Sequence, residues 1–155
     1  MMRMRVYLGI ALLVASATSA AADWQYAKWG MTAAQIIAAS KGEAHPYSGE
    51  GCAFTDQTAI ARVPEKRIDK WVFEITFCTD GGGRLSSVAL SPKPPENTYI
   101  NLRASLLARY GRPIQDGSGD IFVVAWRDAK GGNLVRLSNL IGNGQIEYRA
   151  APRGL

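Results

Sequence analysis

The residue types that do chemistry are few in this chain, and their spacing limits what they can do. His45 is the single histidine, so any Ser-His-Asp or Cys-His arrangement would have to use it. It stands in GEAHPYSGEG, a stretch of glycine, proline and polar residues that reads as an exposed loop. One histidine and two cysteines do not make a zinc or haem site, and no cofactor is expected. Asp80 precedes Gly81-Gly82-Gly83, but apolar runs on both sides make this a hairpin turn, not a phosphate loop. Asp116, Asp120 and Asp128 lack the spacing of a calcium loop. Glu50 with Asp56, or Glu74 with another residue of its face, are the carboxylates available for acid–base work, and nothing in the sequence pairs them. No catalytic set assembles, and the expectation is a protein that is not an enzyme.

Cys52 and Cys78 are the only cysteines. The chain opens with Arg3 and Arg5, an apolar run from Val6 to Ala17, and Ala20-Ala21-Ala22 before Asp23. This has the form of a secretory signal peptide over residues 1–22, cleaved near Ala22, with a single domain over 23–155. The apolar run is shorter than the roughly 20 residues that span a bilayer, so no stable membrane span is expected. The exported compartment, periplasmic or extracellular, favours disulfides, and only a Cys52–Cys78 pairing is possible.

The chain carries 18 basic and 13 acidic residues, a net charge of +5. Without Arg3 and Arg5 the excess falls to +3. That is too sparse for nucleic-acid binding, so the expected partners are an envelope protein or an anionic envelope component such as a lipid head group.

The elements that must position these residues follow from periodicity. Thr32 and Gln35 form a capping box for a helix from Ala33 to Ser40. Thr58 to Val63 reads as a strand stopped by Pro64. The hairpin over Lys70 to Leu90 centres on Gly81-Gly82, which pairs Cys78 with Leu85, Phe77 with Ser86, Ile75 with Val88 and Phe73 with Leu90. Asn97 is the expected cap of a second helix running to about Tyr110, whose stripe is Tyr99, Leu102, Leu106 and Tyr110 and whose stop is Gly111. Ile121 to Arg127 opens a meander. A Lys130-Gly131 turn sets Trp126 opposite Val135 and Val124 opposite Leu137, and an Asn143-Gly144 turn sets Ile141 opposite Ile146 and Asn139 opposite Tyr148. The predicted core face holds Phe122, Val124, Trp126, Val135, Leu137, Ile141, Ile146 and Tyr148. The order α-βββ-α-βββ predicts an α+β fold, a twisted antiparallel sheet of about six strands with two helices on one face.

In that fold Trp71, Phe73, Ile75 and Phe77 face the helices, while Val72, Glu74, Thr76 and Cys78 face away. Val72, Glu74 and Thr76 are therefore the candidate binding face, together with Trp24 and Tyr26 as a candidate docking segment. Trp29-Gly30-Met31-Thr32 before one helix and Leu106-Leu107-Ala108-Arg109-Tyr110-Gly111-Arg112-Pro113 at the end of the other resemble a group of small exported proteobacterial proteins of unknown function. They more loosely resemble the helix-plus-meander units of SmpA/OmlA-type outer-membrane assembly lipoproteins and of β-lactamase inhibitor proteins. The lipid-anchor cysteine of the first of these is missing here. The resemblance implies a protein-binding module; the alternatives are a carrier of a small apolar or anionic ligand and, third, a hydrolytic enzyme.

Overall fold

The computed structural model describes residues 23–54, 56–117 and 123–152. The expected signal peptide and Phe122 lie outside the described residues. The fold is α+β, with a two-stranded ribbon, two helices and an eight-stranded antiparallel sheet. In chain order these are β1 (Asp23–Trp24), β2 (Ala27–Lys28), α1 (Ala33–Ala39), β3 (His45–Pro46), β4 (Thr58–Ile68), β5 (Trp71–Thr79), β6 (Ser87–Pro92), α2 (Tyr99–Tyr110), β7 (Gln115–Asp116), β8 (Val123–Asp128), β9 (Asn133–Leu140) and β10 (Asn143–Ala150). The sheet exceeds the expected six strands because the two-residue strands β3 and β7 add one edge each.

The sheet order β3-β4-β5-β6-β10-β9-β8-β7 repeats one plan twice. Each half is a helix, a two-residue edge strand and a three-stranded meander, and the halves join where β6 pairs with β10. The register runs unbroken through the junction. Val63, Ile75, Leu90, Ile146, Leu137 and Val124 are successive cross-strand partners. So are Ala61, Phe77, Val88, Tyr148, Val135 and Trp126. These two rows, with Ile36 of α1, Leu102 and Leu106 of α2 and Trp24 of the ribbon, form one cluster, buried throughout except at Tyr148, which is half-buried against it. The period-2 alternation of six strands thus converges on one face, which both helices cover.

The helices follow their local signals. Gln35 N–H donates to Thr32 Oγ1 at 3.4 Å, and Thr32 N–H donates to Gln35 Oε1 at 2.9 Å, closing the capping box of α1. Helix α2 ends at Gly111, whose φ of 77° needs a glycine. Its start differs from expectation. Asn97 sits at φ 55° outside the helix, and Thr98 takes the cap position without a side-chain cap bond. The Thr98 hydroxyl is committed elsewhere, donating to the Pro95 carbonyl and accepting from Gly144 N–H at 2.9 Å.

Three strand expectations are corrected. Pro64 does not end β4, which continues to Ile68 through an irregularity between Val63 and Lys66. There β3 no longer covers β4, so an edge strand absorbs the missing N–H. In the glycine hairpin the register is shifted by two, pairing Ile75 with Leu90 and Phe77 with Val88. The reason is tertiary: Leu85 leaves the hairpin to exchange backbone bonds with Gly30 and Met31, at 2.9 and 2.8 Å. A two-residue slip keeps every side chain on its predicted face. The last hairpin turns at Ile141-Gly142 instead of Asn143-Gly144, setting Ile146 opposite Leu137. A Cβ at Gly144 would lie 2.7 Å from Leu102 Cδ1 and 3.1 Å from Tyr99 Cα, so that glycine admits the helix and not the turn. Ile141 leaves the predicted core and is fully exposed.

Candidate functional site

The candidate residues named by the sequence fall in different environments. Cys52 and Cys78 are bridged, with Cα atoms 6.0 Å apart. Cys78 alternates with Phe77 and Ile75 along β5, so the bridge lies on the sheet face away from the helices. On either side of Cys52 the chain lies along that face. Gly51 carbonyl accepts from Gln145 Nε2 at 3.0 Å, and Gly51 presses on Thr76, where a Cβ would approach Oγ1 to 2.5 Å. Thr76 is accordingly buried, and it is not part of an open binding face. Glu74 is half-buried between Arg62 and Lys93, 3.7 and 3.6 Å away, and Val72 is half-buried.

Trp24 is buried in the core, edge-on to Phe77 at 5.8 Å between ring centroids, so it is a packing residue of the ribbon. Tyr26 is half-buried with a hydroxyl that has no hydrogen-bond partner. Burial, with Glu43 nearby, pushes its pKa up to about 12. His45 is exposed on β3, and Asp80 is exposed at the glycine turn, accepting from Gln57 Nε2 at 3.1 Å. Among the described residues, no group of three or more His, Cys, Asp or Glu is placed to hold a metal ion. No helix there is long and apolar enough to cross a membrane.

Sequence reasoning missed a charge centre on the disulfide face. Glu147 of β10 is 1% exposed, with Arg136 at 3.3 Å and Arg149 at 3.5 Å. It lies in the cross-strand row Thr76, Ala89, Glu147, Arg136, beneath the loop that Cys52 tethers. Arg136 in turn stacks on Phe54 of that loop at 4.3 Å. Burial raises the Glu147 pKa, and the two guanidiniums oppose that shift without cancelling it. The available signal was its alternation with Ile146 and Tyr148, which puts Glu147 on this face but says nothing of what covers it.

Two further surfaces stand out. One is a cleft of about 310 Å³ between the ribbon, α2 and the sheet, with Phe73, Leu90, Leu106 and Ile146 among its lining. Tyr110 and Tyr148 close one side with hydroxyls 3.2 Å apart. Its polar members are scattered over the ribbon, the β4–β5 turn, α2 and strands β8 to β10, which is why no motif marks it.

The other is the tip of the β9–β10 hairpin. Ile141 is 101% exposed at φ 54°, a left-handed conformation that is costly for a β-branched side chain. Leu140 beside it and Ile100 of α2 are also exposed. The tip is held rigidly. Tyr99 N–H donates to Gly142 O at 3.0 Å, Asn97 N–H to Asn143 Oδ1 at 3.3 Å, and Gly142 N–H to Asn139 Oδ1 at 2.8 Å. The start of α2, with Ile100, is thereby fixed to the hairpin end. Comparison of the chain with family models, with curated proteins and with solved structures found no match to any of the three.

Proposed function

We propose that this chain is a non-enzymatic interaction module of the periplasm or the extracellular space, and that the β9–β10 tip is its anchor for an envelope protein. The carrying observation is Ile141, which is unfavourable twice over: a β-branched residue in a left-handed turn, with its whole side chain in water. A folded chain at its stability optimum would hold Asn there, which suits such a turn and water alike. Residues that break local rules in an otherwise consistent fold mark functional positions. An apolar side chain on a rigid tip fits a partner's pocket as a single anchor, with the ordering cost already met within the fold. Leu140 and Ile100 supply the surrounding apolar contact. The side chains and backbone groups bonded at the tip come from uncharged residues (Asn97, Tyr99, Asn139 and Asn143), and no basic residue is among them, which favours a protein pocket over an anionic head group. The resemblance to helix-plus-meander binding modules points the same way.

The test is site-specific photo-crosslinking in the exporting cell. A photoreactive residue at position 141 should yield one discrete heavier species, and the same residue at exposed Lys130 should not. Adducts that are identical from the two sites, or absent from position 141, overturn the reading.

A further inference from the structure

We infer that the envelope protein engaged by the β9–β10 tip is a second copy of this chain, and that the two copies pack antiparallel along the outer face of α2. The inference rests on the reading of Ile141 as an anchor and names its partner.

The observation that carries it is a helix with two apolar faces. Leu102 and Leu106 of α2 are buried against the sheet. Ile100, Ala104, Leu107, Ala108 and Gly111 follow one another at helical spacing on the opposite side. Of these only Leu107 is half-buried and the rest are exposed, so the second stripe meets water in a single copy. Four large apolar residues are exposed among the described ones, and all belong to this helix or to its two ends. Ile100 lies in the first turn, Leu140 and Ile141 sit at the tip bonded to that turn, and Ile114 follows the helix stop. A helix that is apolar on both sides is one that is covered on both sides.

Shape and charge choose the cover. The middle of the stripe is made of small residues, which let a second helix come close. The space beside Gly111 is open, with no heavy atom within 4 Å of where a Cβ would stand. A lipid surface gains little from such a stripe, which has no aromatic side chain to insert. Charge then sets the direction. Arg109 and Arg112 stand at the end of α2, and exposed Glu96 stands before its start. Arg103, between them, is bonded to Asp116 at 2.9 Å. Parallel copies would set arginine against arginine. Antiparallel copies bring Arg112 towards the partner's Glu96 and oppose the two helix dipoles. The same arrangement sets Ile100 into the open space at the partner's Gly111 and Ile141 towards the partner's Ile114. Each contact is made twice about a two-fold axis, so assembly closes at the dimer.

The dimer is weak. A 12-residue helix is about 18 Å long and about 10 Å wide, which even with the tips falls short of the roughly 800 Å² per partner of a standard interface. The Kd is therefore on the order of 10–100 μM, and protein at about 1 μM unfolds as the monomer.

The test is sedimentation equilibrium of the exported protein. From about 1 μM to about 500 μM the average mass should rise from one chain towards two and no further. Ala104→Arg keeps the helix, since arginine is nearly as good a helix former as alanine, and it sets like charges across the axis. That variant should stay monomeric throughout with an unchanged circular dichroism spectrum. Ile141→Asn should weaken the dimer at least about tenfold. Glu96→Arg and Arg112→Glu should each weaken it about threefold, and the two together should restore it. Protein that stays monomeric over the whole range overturns the inference. So does a dimer indifferent to Ile141→Asn, or a double charge variant that regains nothing. Monomeric protein that pellets with phosphatidylglycerol vesicles, and more strongly with Ala104→Arg, overturns it in favour of a membrane surface. The anchor is judged separately by the crosslink from position 141 in the cell. An adduct of twice the chain mass supports both assignments, and an adduct with a different protein keeps the anchor and overturns the second copy.

Discussion

Tyr99 donates its main-chain N–H to the carbonyl of Gly142 at 3.0 Å, which makes the first turn of α2 and the last hairpin a single rigid edge. The neighbouring Ile141 therefore cannot relax out of its left-handed conformation by moving the turn. Replacing it with Asn should raise stability by up to about 1 kcal/mol, the scale of the left-handed penalty for an L-residue. Equilibrium urea unfolding measures this directly. If Ile141→Asn lowers the midpoint, Ile141 stabilises the fold and is not an anchor kept at the fold's expense.

The Cys52–Cys78 bridge closes a 26-residue separation on the side of the sheet away from the helices. Replacing both cysteines with alanine should cost roughly 3–4 kcal/mol by the chain-entropy relation. The two apolar rows and both helices lie on the other face, so far-ultraviolet circular dichroism should keep its native form. Hydrogen exchange should quicken most around Thr76, Ala89 and Glu147, which the tethered loop covers. Uniform acceleration across all strands would place the bridge inside the main core instead.

Glu147 makes a pH prediction of unusual sign. Its folded pKa is raised, first by burial and against the pull of Arg149 and Arg136. At pH below the ordinary glutamate value both states hold the proton, and the carboxyl contributes no pH dependence. As pH rises past that value the unfolded chain gives up its proton while the folded carboxyl still holds one, so stability falls until the folded group also ionises. Glu147→Gln removes that loss. The stability of the variant relative to the native protein should therefore rise with pH from the acid side and level off once the folded carboxyl has ionised. A difference that moves the other way would show that the two arginines outweigh desolvation.

How far the sequence led can be read at three turns. Lys130-Gly131 was legible because the turn is closed locally, Gly131 N–H donating to Asp128 Oδ1, and Trp126 pairs with Val135 as the alternation requires. The glycine triplet was legible in its faces but not in its register, because Leu85 is drawn away to Met31, some fifty residues earlier. Asn143-Gly144 misled, because its glycine is needed where α2 crosses β10, and the turn passed to Ile141-Gly142. Local chemistry thus specified the elements, the helix ends and which face each residue takes. The pairings that depend on a distant partner were hidden, and so were Asp23, Asp69 and Asp128, which meet only when three loops and strand ends converge on the cleft.

Gly51 tests how tightly the tethered loop sits on the disulfide face. Its φ of 122° disfavours any side chain, and a Cβ would stand 2.5 Å from Thr76 Oγ1. Gly51→Ala should destabilise by roughly 1–3 kcal/mol, the range for overpacking a close contact. Thr76→Ala in the same chain removes the atom in the way but leaves the backbone strain, so only part of the loss should return. Full recovery would assign the whole cost to the contact, and no recovery would assign it to the backbone.

Tyr26 carries a buried hydroxyl without a partner, and its pKa is pushed up to about 12. Tyr26→Phe deletes the orphan group and keeps the ring against Trp24 and Phe77, at centroid distances of 6.3 and 6.2 Å. The variant should match or exceed the native protein at neutral pH, by up to about 1 kcal/mol. Between the ordinary tyrosine value of 10.0 and about 12 the unfolded chain ionises first, so the native protein loses stability as pH rises through that interval. Tyr148 is also raised, by burial and by Tyr110, and it contributes equally to both proteins. The difference between native and variant therefore isolates Tyr26, and it should widen in favour of the variant from pH 10 to 12. A loss of stability at neutral pH would mean that the hydroxyl is hydrogen-bonded in solution and that this part of the ribbon is wetter than its packing implies.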